Sequence, residues 1–174
     1  MGLDISYYSN IKESEVFDED SEITIYSQTF TYQLGSLKQN TSYEPIDGSH
    51  LGRFRAGSYS GYNTWRNQLA EMAGYGSAEN VWRDFKPNIR YYKLKKLNGE
   101  IVDIKPFYEL IFFSDCEGFI GPEISSKLYK DFINFDKQAK WYSQISENDY
   151  FYTKYEEWTE CFRVASQHGI VMFC

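Results

Sequence analysis

Two stretches of this sequence hold residue types that can do chemistry at close spacing. The first is Arg53-Phe54-Arg55-Ala56-Gly57-Ser58-Tyr59-Ser60-Gly61-Tyr62-Asn63-Thr64-Trp65-Arg66, where arginine, glycine, serine and tyrosine crowd ahead of a helix start. Backbone N–H groups opened by Gly57 and Gly61, with the helix dipole behind them, suit an anion. Arg55 and Arg66 can clamp a phosphate or carboxylate bidentately, Ser58 adds a hydroxyl, and Tyr59 and Tyr62 can stack or hydrogen-bond. Neither Gly-x4-Gly-Lys-Ser/Thr nor Gly-x-Gly-x-x-Gly is completed here. The plainer alternative is a turn-rich loop that caps a helix, with Arg55 paired to an acid.

The second stretch is Ser114-Asp115-Cys116-Glu117-Gly118-Phe119-Ile120-Gly121-Pro122-Glu123. Asp115, Glu117 and Glu123 suit a hard cation such as Mg²⁺, or the hydroxyls of a sugar. Cys116 near a helix start is a candidate nucleophile, but the flanking Asp115 and Glu117 oppose a thiolate. The chain has two histidines, His50 and His168, so a base for that cysteine is hard to supply.

The elements that must position these stretches follow from periodicity. Residues 3–8 alternate and predict a half-buried strand; residues 23–34, rich in Ile, Thr, Tyr and Phe, predict a second. The acids from Glu13 to Glu22 predict a solvated loop, and residues 35–50 a polar one. A helix is predicted from about Asn63 to Ala73, with Trp65, Leu69, Met72 and Ala73 on one face, Asn63 as cap and Gly74 as left-handed stop. A shorter helix follows from Ser77 to about Phe85. Residues 91–97 and 101–104 flank Asn98-Gly99, a strong hairpin signal, and carry four lysines. The apolar run 107–113 predicts a central strand covered on both faces. Gly121-Pro122-Glu123 opens a helix with core stripe Ile124, Leu128, Phe132 and Phe135. The last helix, from about Asp149 to His168, carries Phe151, Tyr155, Trp158, Phe162 and Ala165 along one face, and residues 170–173 form a closing strand. This order predicts one α+β domain over 1–174, with a mixed or mainly antiparallel sheet, about four helices and a protruding hairpin at 88–105.

Composition narrows the function. The chain has 174 residues, 18 Lys and Arg against 25 Asp and Glu, and a formal net charge of −7. Such a field disfavours duplex DNA as a partner. Aromatic residues make up 19%, led by 16 tyrosines, which excludes low-complexity disorder. Cys116, Cys161 and Cys174 form no paired spacing, and no apolar run approaches the roughly 18 residues of a membrane helix. The expectation is a cytoplasmic protein without a membrane partner, with a homo-oligomer open.

Met-Gly-Leu-Asp-Ile at the N-terminus, Phe54-Arg55-Ala56-Gly57-Ser58-Tyr59-Ser60-Gly61-Tyr62-Asn63-x-Trp65-Arg66, and Phe113-Ser114-Asp115-Cys116-Glu117-Gly118-x-Ile120-Gly121-Pro122 together resemble a family of small proteins encoded in phages, prophages and their bacterial hosts. The likeness continues through Lys127-Leu128-x-Lys130-Asp131-Phe132 and the helix of Trp158. It implies a phage- or prophage-type accessory protein that acts in the cytoplasm of the bacterial host cell and counters host defence, by analogy through a nucleotide signal. The segment 88–105 departs from the family pattern as an inserted hairpin, and Cys174 stands where relatives often end in His.

Three functional expectations follow. The leading one is a protein that binds a nucleotide-like or phosphorylated small anion. Arg55 and Arg66 would neutralise it, Gly57, Ser58 and Gly61 would donate, Tyr59 and Tyr62 would stack, and Asp115 and Glu117 would take sugar hydroxyls or Mg²⁺. The second is a metal-assisted hydrolase using Asp115, Glu117 and Glu123. The third is an inhibitor that offers its acidic surface, including Asp18 to Glu22, to a basic nucleic-acid-binding protein.

Overall fold

Alternation of side chains at the N-terminus produces a strand whose two faces meet different cores. A computed structural model describes residues 2–21, 23–25, 32–34, 37–83, 96–97, 100–101, 105–113 and 118–174. In chain order these form β1 (Gly2–Tyr8), β2 (Ile11–Glu13), β3 (Ile23–Ile25), β4 (Tyr32–Leu34), β5 (Thr41–Pro45), β6 (Leu51–Ser58), α1 (Tyr59–Met72) and α2 (Ala78–Arg83). There follow β7 (Lys96–Leu97), β8 (Glu100–Ile101), α3 (Tyr108–Phe112), β9 (Gly118–Ile120), α4 (Pro122–Ile145), α5 (Asp149–Ala165) and β10 (Ile170–Phe173).

The main sheet has the order β4-β9-β10-β1-β6, antiparallel except for the parallel pair β4 and β9. A second sheet, β2-β5-β3, is antiparallel. In the main sheet Leu3, Ile5, Tyr7, Ile120, Val171 and Phe173 belong to the core that holds the helices, while Tyr8, Phe119, Ile170 and Met172 join Ile23, Ile25 and Tyr43 in a second core. Both faces of β9 and β10 are therefore buried, while β1 joins the second core only at Tyr8, and the layers run helices, five-stranded sheet, three-stranded sheet. This is the expected α+β fold. The helix-side core is an aromatic stack: Tyr62 on Trp65, Trp65 on Trp158, and Trp158 on Phe162.

Several sequence expectations hold. The stripes of α4 and α5 are buried at Ile124, Leu128, Phe132, Phe151, Tyr155, Trp158, Phe162 and Ala165. Gly74 sits at φ 91°, where a side chain would be strained. Strands β7 and β8 pair antiparallel, with Leu97 opposite Glu100; the rest of the hairpin expected at 88–105 lies largely outside the described residues.

Others are corrected. The run 107–113 is built around a helix, Tyr108–Phe112, not a central strand: a short apolar run has no period to separate the two, and side chains of neighbouring elements supply partners for the main chain in and around this helix. Residues 41–45 are the middle strand of the second sheet rather than loop. The predicted strand 23–34 is two strands in different sheets. The glycine-arginine stretch is largely β6, an edge strand, and α1 starts at Tyr59 with Ser58 as its cap instead of Asn63. Gly118–Ile120, within the second chemistry-bearing stretch, is a strand.

Candidate functional site

The first sequence-predicted segment folds as an edge strand running into a helix. Arg55 is exposed; its guanidinium lies across Gly2 and 3.6 Å from Asp4 Oδ1, a solvated pairing that leaves it available to solvent. Gly57 takes φ 134°, a conformation that favours glycine, at the corner before α1. Ser58 accepts a hydrogen bond from Gly61 N at 3.0 Å and lies 3.1 Å from the Ser60 hydroxyl, so its oxygen already serves the helix cap. Tyr59 is half-buried. Beside this corner, Lys154 of α5 donates to the Arg55 carbonyl at 2.7 Å and sits over the Phe54 ring, which protects a strand that lies at the edge of the sheet among the described residues.

Tyr62 and Arg66 are elsewhere. Tyr62 is fully buried in the aromatic stack and has no face to offer a ligand. Arg66 is also buried: its guanidinium donates to the carbonyl of Phe113 and to Asn63 Oδ1, and packs over the rings of Tyr62 and Trp82. Expected as a clamp for phosphate, it instead clamps the protein's own main chain. Asp115, Cys116 and Glu117 lie outside the described residues. Glu123 is exposed in the first turn of α4. Among the described residues no group of three or more His, Cys, Asp and Glu is placed to hold a metal ion.

The sequence reading passed over a second cluster. Lys127 of α4 is 5% exposed and touches Glu109 Oε2 of α3 at 2.5 Å and Asp131 Oδ2 at 2.8 Å; Glu109 is 1% exposed. Lys127 also donates to the Lys105 carbonyl, and Asp131 accepts from Phe107 N. Burial pushes Glu109 up to about 8 and Lys127 down to about 8, and burial also raises Asp131. Two carboxylates and one ammonium carry a net charge if all are ionised, so at neutral pH Glu109 keeps its proton while Lys127 and Asp131 form the ion pair.

Together with Arg66 this cluster explains α3. A five-residue helix leaves most of its backbone groups without intrahelical partners. Here side chains from neighbouring elements supply them. Tyr75 donates to Pro106 O, Lys127 to Lys105 O, Trp82 Nε1 to Ile111 O, and Arg66 to Phe113 O. The apolar sequence 107–113 thus tolerates burial as a helix, held at its start by Lys127 and at its end by Arg66. The Lys127–Asp131 spacing of four was the available signal; Glu109 looked like an ordinary interruption of an apolar run.

The acidic segment stands at the opposite extreme. Residues 13–20 contain Glu13, Glu15, Asp18, Glu19 and Asp20 with no base between them, and all five are exposed. Between them Val16 is 69% and Phe17 43% exposed. The segment is tied down: Ser14 N donates to Ser42 O, Asp18 N to Ser42 Oγ, and Thr24 Oγ1 donates to Asp18 O. Asp20 N donates to Asp18 Oδ1 and Ser21 N to Asp18 O, closing a turn. Lys38 and Lys12 pair with Glu13 and Glu44 at its flank.

Family models, curated proteins and solved structures yield no match to this chain. Its class is defined by its own architecture: an α+β protein of two packed sheets, a two-stranded ribbon and a helical layer, with one buried charge cluster and one exposed acidic segment among its described residues. No helix among the described residues is long and apolar enough to cross a membrane.

Proposed function

We propose that this is a binding protein whose working surface is the acidic segment 13–20, offered to a basic protein of the kind that grips nucleic acid. The observation that carries the reading is the pair Val16 and Phe17, exposed among five acids on backbone fixed by Ser42 and Thr24. Protein interfaces centre on apolar or aromatic anchors ringed by charge, and the ring steers encounter with an oppositely charged surface. A segment held in place beforehand loses little freedom on binding. The likeness to phage and prophage accessory proteins supplies a setting in which a host DNA-binding factor is disarmed. The test is fluorescence anisotropy against a panel of purified bacterial DNA-binding proteins. Binding should weaken with salt, be competed by duplex DNA, survive Arg55→Ala, and vanish when Val16 and Phe17 are both replaced by Asp. Absence of binding across the panel, or indifference to the double substitution, would end the proposal.

A second reading keeps the small phosphorylated ligand at the corner of β6 and α1. It is favoured by one contact, Arg66 to the Phe113 carbonyl, which ties α1 to the residue preceding 114–117. Arg55, Gly57, Ser58, Tyr59 and Gly61 remain as its residues, with Asp115 and Glu117 as the acids that would meet sugar hydroxyls or Mg²⁺. Titration calorimetry with cyclic dinucleotides and ADP-ribose derivatives tests it: heat that disappears in Arg55→Ala supports it, and no heat from any of them removes it.

A further inference from the structure

Helix α4 is 24 residues long, and its inward stripe is spent on the core. Its opposite face is unusually apolar: Ile133 is 53%, Trp141 59% and Ile145 57% exposed. With exposed Lys137 these residues recur every four positions, so they form one continuous stripe, about 18 Å from end to end. Large apolar side chains gathered on one outward helix face mark an interaction surface more often than chance exposure does.

The order of residues along that face says what covers it. Reversed about position 139, the stripe is complementary to itself: Ile133 exchanges with Ile145, and Lys137 with Trp141. Exposed Lys130 falls in the same operation just past the end of the second copy's α4, at the turn that carries the exposed acids Glu147 and Asp149. Lys130 and Lys137 make no ion pair among the described residues, whereas Lys140, off to one side, is already engaged by Asp136. A partner of unrelated sequence would not require this helix to match its own reverse.

We propose that two copies of the protein associate through antiparallel α4 helices about a two-fold axis at position 139. Ile133 then packs on Ile145 of the second copy, the Lys137 ammonium lies over the Trp141 indole of the second copy, and Lys130 meets the second copy's Glu147 and Asp149 at each end. The same surface is used by both chains, so the assembly closes at two and does not propagate. Antiparallel helices pack in this way at shallow crossing angles. The proposal rests on α4 alone and stands apart from the acidic segment.

Sedimentation velocity on the full chain, from about 1 to about 300 µM, reads the association directly. A monomer–dimer equilibrium with a dissociation constant on the order of 10 µM is expected for so narrow a contact. Trp141→Glu should weaken it at least about 30-fold, with unchanged circular dichroism because the side chain is exposed. The exchange variant, Lys137→Trp with Trp141→Lys, restores the pairing across the axis and should return the dissociation constant to within about tenfold of the original. A wild-type chain that sediments as monomer throughout overturns the proposal, as does a dimer unmoved by Trp141→Glu. An exchange variant that stays monomeric overturns the antiparallel register.

Discussion

Charge is used in two opposite ways in this molecule. In the segment 13–20 five acids face water on a fixed backbone. At the junction of α3 and α4, Glu109, Lys127 and Asp131 are shut away from it. The exposed acids contribute little to holding the fold, because solvent screens them and pairs such as Lys38 with Glu13 lie at the surface. The buried groups are the reverse. Each is desolvated, so each is tolerable only with its neighbours in place, and together they fix a short helix that has too few backbone bonds of its own. Arg66 belongs with the second set although its sequence neighbourhood suggested the first.

This contrast can be broken most severely at Lys127. Lys127→Met leaves Asp131 buried without its cation and removes one donor from Lys105 O, and should cost about 3–5 kcal/mol in urea denaturation. Glu109→Leu made together with Lys127→Met should recover part of that loss, since it removes a carboxyl that would otherwise remain in the interior. A smaller break comes at the other end of α3: Arg66→Leu removes the donor to Phe113 O and should cost about 2–3 kcal/mol. Were Arg66 a ligand clamp in open solvent, the same change would fall within about 0.5 kcal/mol.

The triad also carries a pH signature. Glu109, raised from 4.5 to about 8, keeps in the folded state a proton that the unfolded chain releases, so its contribution to stability is full below 4.5 and declines as pH rises towards 8. Lys127, lowered from 10.5 to about 8, works in the other sense, and stability recovers between about 8 and 10.5. Denaturation midpoints at successive pH values should therefore pass through a minimum near 8, with slopes on the order of 1 kcal/mol per pH unit. Glu109→Gln should flatten the acid limb, and a midpoint that rises steadily from pH 5 to 8 in the wild type would contradict the assignment. The smallest effect on stability is expected outside: Val16→Asp should shift the fold by no more than about 0.5 kcal/mol while weakening binding to a basic partner.

How much of this was legible follows from the range of each interaction. The stripes of α4 and α5 and the strands β1 and β10 were readable because burial on one face imposes a period of 3.6 or 2 on neighbouring residues. The start of α1 was misplaced because Asn63 is as good a cap by type as Ser58, and only the path of β6 selects between them. The acidic segment was readable as exposed, but that Val16 and Phe17 stay in solvent with it depended on how Ser42 and Thr24 bind its backbone.

The sequence by itself determined the class of fold, the aromatic core stripes and the acidic exterior, since each is written in residues close together along the chain. Tertiary structure alone decided which charges go inside. Lys127 meets Glu109 across 18 positions and Arg66 meets Phe113 across 47. A buried ion or an orphan carbonyl is stable only when a partner arrives from another element, and no local pattern encodes that arrival.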